Sequence, residues 1–269
     1  MIRNSLILIL LTILLFSCSN NDKNDDEIIV KIGHVGEYDY EIWDSMKDDF
    51  LKNNVILETV YFSDYQYLNS ALDNRDIDLN VFQNYAFFVD ETNRYGYNLS
   101  IISKTYIARM NMYSRVFTNI GQISMGAKIA VPKSSVNLSR ALKILDSIGF
   151  VRLKEINDNN MYNYKLDDIR ENHLHLDFIL TEGSKIYSIM DSVDAAFVNY
   201  SYSHDFDNEN IIYYDDPSKY ASDTYVNLIV SRDEDEFNEL YIRISESYKE
   251  KIRNKINENK LNGLIMADY

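Results

Sequence analysis

The sequence predicts an α/β fold on an exported chain, and three observations predict it. From Ile28 onward, short apolar runs that end near glycine, proline or asparagine alternate with stretches of helical period. Apolar residues at positions 237, 240, 241, 244, 248 and 252 form the stripe of an amphipathic helix, predicted to close the chain. The apolar leader at the start ends in the chain's one cysteine, Cys18.

The leader comes first. Arg3 precedes an apolar run from Leu6 to Phe16, followed by Ser17-Cys18. That run is far shorter than the roughly 20 residues that span a bilayer, so it reads as a cleaved export signal over residues 1–17. Leu15-Phe16-Ser17-Cys18 resembles a bacterial lipobox, which implies that the processed chain begins at an acylated Cys18. With no second cysteine there is no intramolecular disulfide and no cysteine metal cluster. Residues 18–27, ending NNDKNDDE, are polar and acidic with nothing to bury, and read as a lipidated tether. The formal charge of −15 disfavours a nucleic-acid partner, because phosphate binding needs a basic surface.

The folded part then opens with a strand over Ile28–Gly33. A helix carrying Trp43, Met46 and Phe50 follows, then a second strand over Val55–Phe62. Asn69–Asp73 reads as a short helix and Ile77–Phe82 as a third strand, the order of helices covering a mainly parallel sheet. Leu99–Ile102 is a further strand, and Lys104–Arg115 crosses to a second region. There Lys128–Val131 is a buried strand. Leu138, Ala141, Leu142, Leu145 and Ile148 form a helical stripe that ends at Gly149, with Ser134 or Ser135 as its cap. Strands over Leu176–Leu180, Asp194–Val198 and Tyr225–Val230 and a helix around Lys185–Met190 complete the pattern.

Two features carry candidate chemistry. Tyr61–Phe88 crowds aromatics among small polar residues, which suits either a core-filling strand–helix–strand unit or the aromatic wall of a binding site. Arg140 lies about 160° around its helix from the apolar stripe, in the first turns, where anions are favoured. It reads either as a solvated surface arginine or as a carboxylate clamp. No phosphate loop, nucleophile elbow or zinc signature appears, so neither an enzyme nor a cofactor is expected. His173 and His175 lack a third ligand, and Asp76–Asn80 begins like a calcium loop but has Val81 and Phe87 where glycine and glutamate belong, so no metal site is expected.

In order and spacing, several motifs resemble the methionine-binding lipoproteins of the NlpA class, the substrate-binding components of methionine ABC importers. They are Phe62-Ser63-Asp64-Tyr65, Asn69-Ser70-Ala71-Leu72, Asp76 to Gln83, Tyr113-Ser114, Ala130-Val131-Pro132, Asn137 to Leu142, Val198-Asn199 and Tyr225-Val226-Asn227. The resemblance implies a two-lobed, type II periplasmic-binding-protein-like fold with the ligand in the cleft. Lobe 1 would be 28–110 plus 220–269, and lobe 2 would be 111–219. It implies that Arg140 pairs with a ligand carboxylate, that Asn137, Asn199 and Asn227 bind its polar end, and that Tyr65 and Phe82 line the side-chain slot. Asn84 stands where the family commonly has His, and Phe87 where it has Tyr; both lie on that wall.

The implied function is a lipid-anchored receptor that captures methionine, or a related small amino acid or peptide, and delivers it to a permease and ATPase. The membrane would be engaged through the anchor, facing the periplasm or cell exterior. The alternatives are a paralogous receptor for another amino acid or small peptide, and a surface interaction lipoprotein.

Overall fold

The computed structural model describes residues 27–155, 163–216, 223–261 and 263–267. The leader, Cys18 and most of the acidic tether lie outside the described residues, as does the 219/220 lobe boundary.

The chain builds a first sheet from β1 (Ile28–His34), β2 (Val55–Tyr61), β3 (Leu79–Asn84) and β4 (Leu99–Ala108). Between these strands come α1 (Glu37–Leu51), α2 (Leu68–Asp73) and α3 (Tyr85–Tyr95). Arg109 alone separates β4 from β5 (Met110–Tyr113), the first strand of a second sheet. That sheet adds β6 (Lys128–Pro132), β9 (Asp177–Thr181), β10 (Ala195–Asn199) and β11 (Ile211–Tyr213), while β7 (Val151–Leu153) and β8 (Ile169–Asn172) pair as a separate ribbon. Helices α4 (Ser135–Ser147) and α5 (Ile186–Ile189) belong to this region. The chain then returns through β12 (Val226–Arg232), α6 (Glu239–Asn257) and β13 (Leu264–Met266) to the first sheet.

The strand orders are β13-β4-β12-β3-β1-β2 and β11-β5-β10-β6-β9. β1 runs parallel to β2 and β3, and β6 runs parallel to β9 and β10. The expected mainly parallel sheet is therefore corrected to a mixed one. Outbound β4 and returning β12 lie side by side, so the crossover itself makes an antiparallel pair, and β13 and β5 add others. The result is a two-lobed α/β fold.

Each lobe has its own core, as the two apolar stripes predict. In the first, Trp43, Met46 and Phe50 of α1 meet Ile244, Tyr248 and Ile252 of α6 over β1 and β3. Trp43 stacks on Tyr248 with ring centroids 4.5 Å apart. In the second, Leu138, Ala141, Leu142 and Leu145 of α4 pack on Ile129, Val131 and Phe197. Each fully buried leucine contributes roughly 1.5–3 kcal/mol of apolar burial. Gly149 ends α4 at φ 78°, a left-handed conformation that glycine adopts without steric cost.

The sequence pattern did not reveal α3, which follows β3 without a loop, nor β13, so α6 does not close the chain. Phe237, counted with the closing stripe, is 81% exposed and precedes the helix, whose N-cap is Asn238. Asn238 Oδ1 accepts the Leu240 N–H at 3.0 Å, and this cap sets the helix start.

Candidate functional site

Between the two sheets lies a small cavity. Tyr65, Phe82, Asn84, Phe87 and Asn227 reach it from the first lobe, and Asn137, Arg140 and Asn199 from the second. All eight residues expected from the sequence are therefore together. Its open space is about 40 Å³, against the ~10–15 Å³ needed to hold one water.

The aromatic side is a cluster of edge-on rings. Phe87 meets Tyr65 with centroids 5.5 Å apart and Phe82 at 5.7 Å, both near perpendicular, the arrangement favoured by ring quadrupoles. Tyr65 sits on a single 3-10 turn whose N-cap is Asp64, with Asp64 Oδ1 accepting the Gln66 N–H at 3.1 Å. Phe62 is partly buried and Leu72 fully buried, and both pack into the core beneath. Asn69 and Asn80, together with Gln83, which also lines the cavity, satisfy one another. Gln83 Nε2 donates to Asn69 Oδ1 at 2.7 Å and to Asn80 Oδ1 at 3.0 Å, while Asn69 Nδ2 donates to Gln83 Oε1 at 3.0 Å. A closed amide network of this kind holds β3 rigidly against α2.

Asn84 has a second role that the sequence did not announce. Its Oδ1 accepts the Phe87 N–H at 2.9 Å, which makes it the N-cap of α3. It thus places Phe87 in the ring cluster as well as lining the cavity.

On the other side, α4 is buried on two faces. Its leucines face the second sheet, while Val136 packs with Ala86, Phe87 and Tyr225 of the first lobe. Arg140 points the same way as Val136 and Asn137 and is 2% exposed, which rules out a solvated surface arginine. Its Nη2 donates to the Ala108 carbonyl at 3.0 Å and forms a buried ion pair with Asp215. Its guanidinium lies 4.5 Å above the Tyr225 ring centroid, a cation–π contact.

The asparagines stand at strand ends and on the first turn of α4. Asn227 on β12 is the register partner of Asn84, and its Nδ2 donates to the Tyr106 carbonyl at 3.4 Å. Asn199 ends β10. Asn137 Oδ1 and the Tyr202 hydroxyl are buried without a partner in hydrogen-bond geometry, although both lie close to Tyr65. Burial pushes the Tyr65 and Tyr202 phenols up, so both remain neutral donors.

The reading of the sequence missed Tyr200, Ser201 and Tyr202, which follow Asn199 on a 3-10 turn and line the cavity. Their only signal was adjacency to Asn199. Asp78, from the calcium-like segment, accepts the Lys31 N–H at 2.9 Å and pairs with Arg232 at 3.1 Å.

Residues 30–267 match the model of the NlpA lipoprotein family. The chain belongs to the NlpA lipoproteins. Among the relatives of this NlpA lipoprotein is the probable D-methionine-binding lipoprotein MetQ of Pasteurella multocida strain Pm70. It is 33% identical over 192 residues, covering 70% of this chain and 67% of the relative. Lipoprotein 28 of Escherichia coli O157:H7 is 28% identical over 269 residues, 97% of this chain and 95% of that one. A nutrient-binding protein of Burkholderia cenocepacia, solved bound to methionine, superposes with a TM-score of 0.81 at 26% identity, covering 89% of this chain and 100% of that one. Protein PG110 of Staphylococcus aureus superposes with a TM-score of 0.80 at 29% identity, covering 88% and 93%. Among the described residues of this NlpA lipoprotein, no helix is long and apolar enough to cross a membrane.

Proposed function

We propose that this protein is the lipid-anchored receptor of an ABC importer, which captures methionine and hands it to the permease and ATPase. The observation that carries this reading is the convergence of a ring cluster, four asparagines and one buried arginine on a single cavity between the lobes. Each part answers one part of the ligand. The planar fork of Arg140 suits the carboxylate. Asparagine oxygens accept from the ammonium, and the edges of Tyr65, Phe82 and Phe87 suit a polarisable thioether.

Capture needs no covalent chemistry. Residues 28–110 with 220–269 and residues 111–219 act as the two bodies, and the ligand closes them about the crossovers. The protein is not an enzyme in this reading, and Cys18 holds it to the membrane facing the periplasm or cell exterior. A receptor for another amino acid or small peptide is the second reading. One observation favours it: Asn84, where the family commonly has histidine, spends its side-chain oxygen on capping α3.

Isothermal titration of protein starting after Cys18 tests the reading. Heat of binding is expected with L-methionine, D-methionine or a methionyl dipeptide; no heat with any of them sinks the methionine claim. Arg140→Ala is expected to weaken binding at least a hundredfold, since a carboxylate buried without its charged partner costs about 3 kcal/mol. Cys18→Ser is expected to release the protein from the membrane fraction.

A further inference from the structure

Asp215 lies outside the wall of the cavity and yet touches the arginine at its centre. It stands on the return crossover between β11 and β12, and is 3% exposed. One carboxylate oxygen, Oδ2, pairs with Arg140 Nη2 and accepts the Met110 N–H at 3.1 Å. The Asp215 N–H donates to Asn111 Oδ1 at 3.0 Å. Met110 and Asn111 begin β5, immediately after the outbound crossover, and the Ala108 carbonyl that also accepts from Arg140 ends β4. One ion pair therefore gathers α4, the outbound crossover and the return crossover at a single point.

We propose that Asp215 is a positioning residue for ligand capture, holding the Arg140 guanidinium against both crossovers so that its fork is set for a ligand carboxylate. This rests on the reading of the cavity as a site for a carboxylate-bearing ligand. The physical grounds are three. Asp215 and Ala108 both take Nη2, so the planar fork is gripped at one end and its orientation is fixed. A long side chain ordered before the ligand arrives does not have to be ordered by it. A buried guanidinium also needs a counter-charge, and among the described residues no Asp or Glu lines the cavity to supply one.

Asp215→Asn keeps the side-chain shape and an oxygen for Met110 while removing the charge. Its affinities for methionine and for methionine amide, which lacks the carboxylate, separate positioning from a merely structural role. The variant is expected to bind methionine at least tenfold more weakly and methionine amide within twofold of wild type. Unchanged or tighter methionine binding overturns the proposal, and so does an equal loss for both ligands. If that variant does not fold, Asp215→Glu keeps the charge but moves the carboxylate by one methylene. The same selective loss is expected, and wild-type affinity overturns the proposal. Should the wild-type protein bind neither compound, the reading of the ligand fails, and nuclear magnetic resonance of the ligand-free protein still decides the positioning role. The Arg140 side-chain N–H signals, assigned by their loss in Arg140→Lys, are expected to be sharp in wild type and averaged in Asp215→Asn. Equally sharp signals in both overturn it.

Discussion

Ser135, on the first turn of α4 in the second lobe, donates its hydroxyl hydrogen to Asp90 Oδ2 on α3 of the first lobe at 2.7 Å. Arg94 Nη2 reaches the same carboxylate oxygen at 2.8 Å and the Ser135 hydroxyl at 3.3 Å. Ser135 thereby links the two lobes, and its bonds to Asp90 and Arg94 exist only when the lobes are together. Ser135→Ala removes the bridge without disturbing the cavity. A half-exposed hydrogen bond to a charged group is worth about 1 kcal/mol here, so methionine affinity is expected to fall about fivefold. Stopped-flow dissociation checks it, because the loss should appear as faster release.

Gly183 is held to glycine by space. A Cβ built there would overlap the ring of Tyr202, which lines the cavity with its centroid 6.0 Å from that of Tyr65. Gly183→Ala is expected to push that ring toward the ligand space and weaken binding at least tenfold. Overpacking of this kind also costs roughly 1–3 kcal/mol of stability. Titration calorimetry beside thermal denaturation checks both, and Tyr202→Phe, Gly183→Ala together should not restore binding.

Burial pushes the carboxyl group of Glu91 up to about 7, with Arg94 opposing and Asp90 reinforcing the shift. The native protein therefore keeps a proton that the unfolded chain releases above pH 4.5. Stability contributed by this group is present below pH 4.5, declines as pH rises, and has been lost above pH 7. The loss is at most roughly 3–4 kcal/mol, at roughly 1.4 kcal/mol per unit. Glu91→Gln should have a melting temperature that falls less between pH 5 and pH 8 than that of wild type. Parallel curves for the two proteins would refute the assignment.

Asn84 caps α3 through its Oδ1. Asn84→Ala is expected to cost about 1 kcal/mol of stability and Asn84→Asp only a few tenths, since aspartate caps equally well. Chemical denaturation distinguishes them. A similar loss in both would show that the cap is not what stabilises the helix start.

Much of this site was legible in the sequence because local periodicity determined it. The helical repeat of α4 separates Leu138, Ala141, Leu142 and Leu145 from Asn137 and Arg140, and that separation survives folding as two buried faces. The motif order supplied Tyr65, Phe82, Asn199 and Asn227. Helix α3 stayed hidden because a buried carboxyl, Glu91, interrupts its apolar face, and because its aromatics also suit a strand.

The sequence by itself determined the α/β alternation, the apolar stripes of α4 and α6 and the types of side chain offered to a ligand. Only the tertiary structure decided what Arg140 touches. Its partner Asp215 is 75 residues away, on a crossover whose path depends on how β4, β5, β11 and β12 are joined. Helical and strand periods act over a few residues, whereas the pairing of a buried charge is set by whichever distant segment the topology brings within reach.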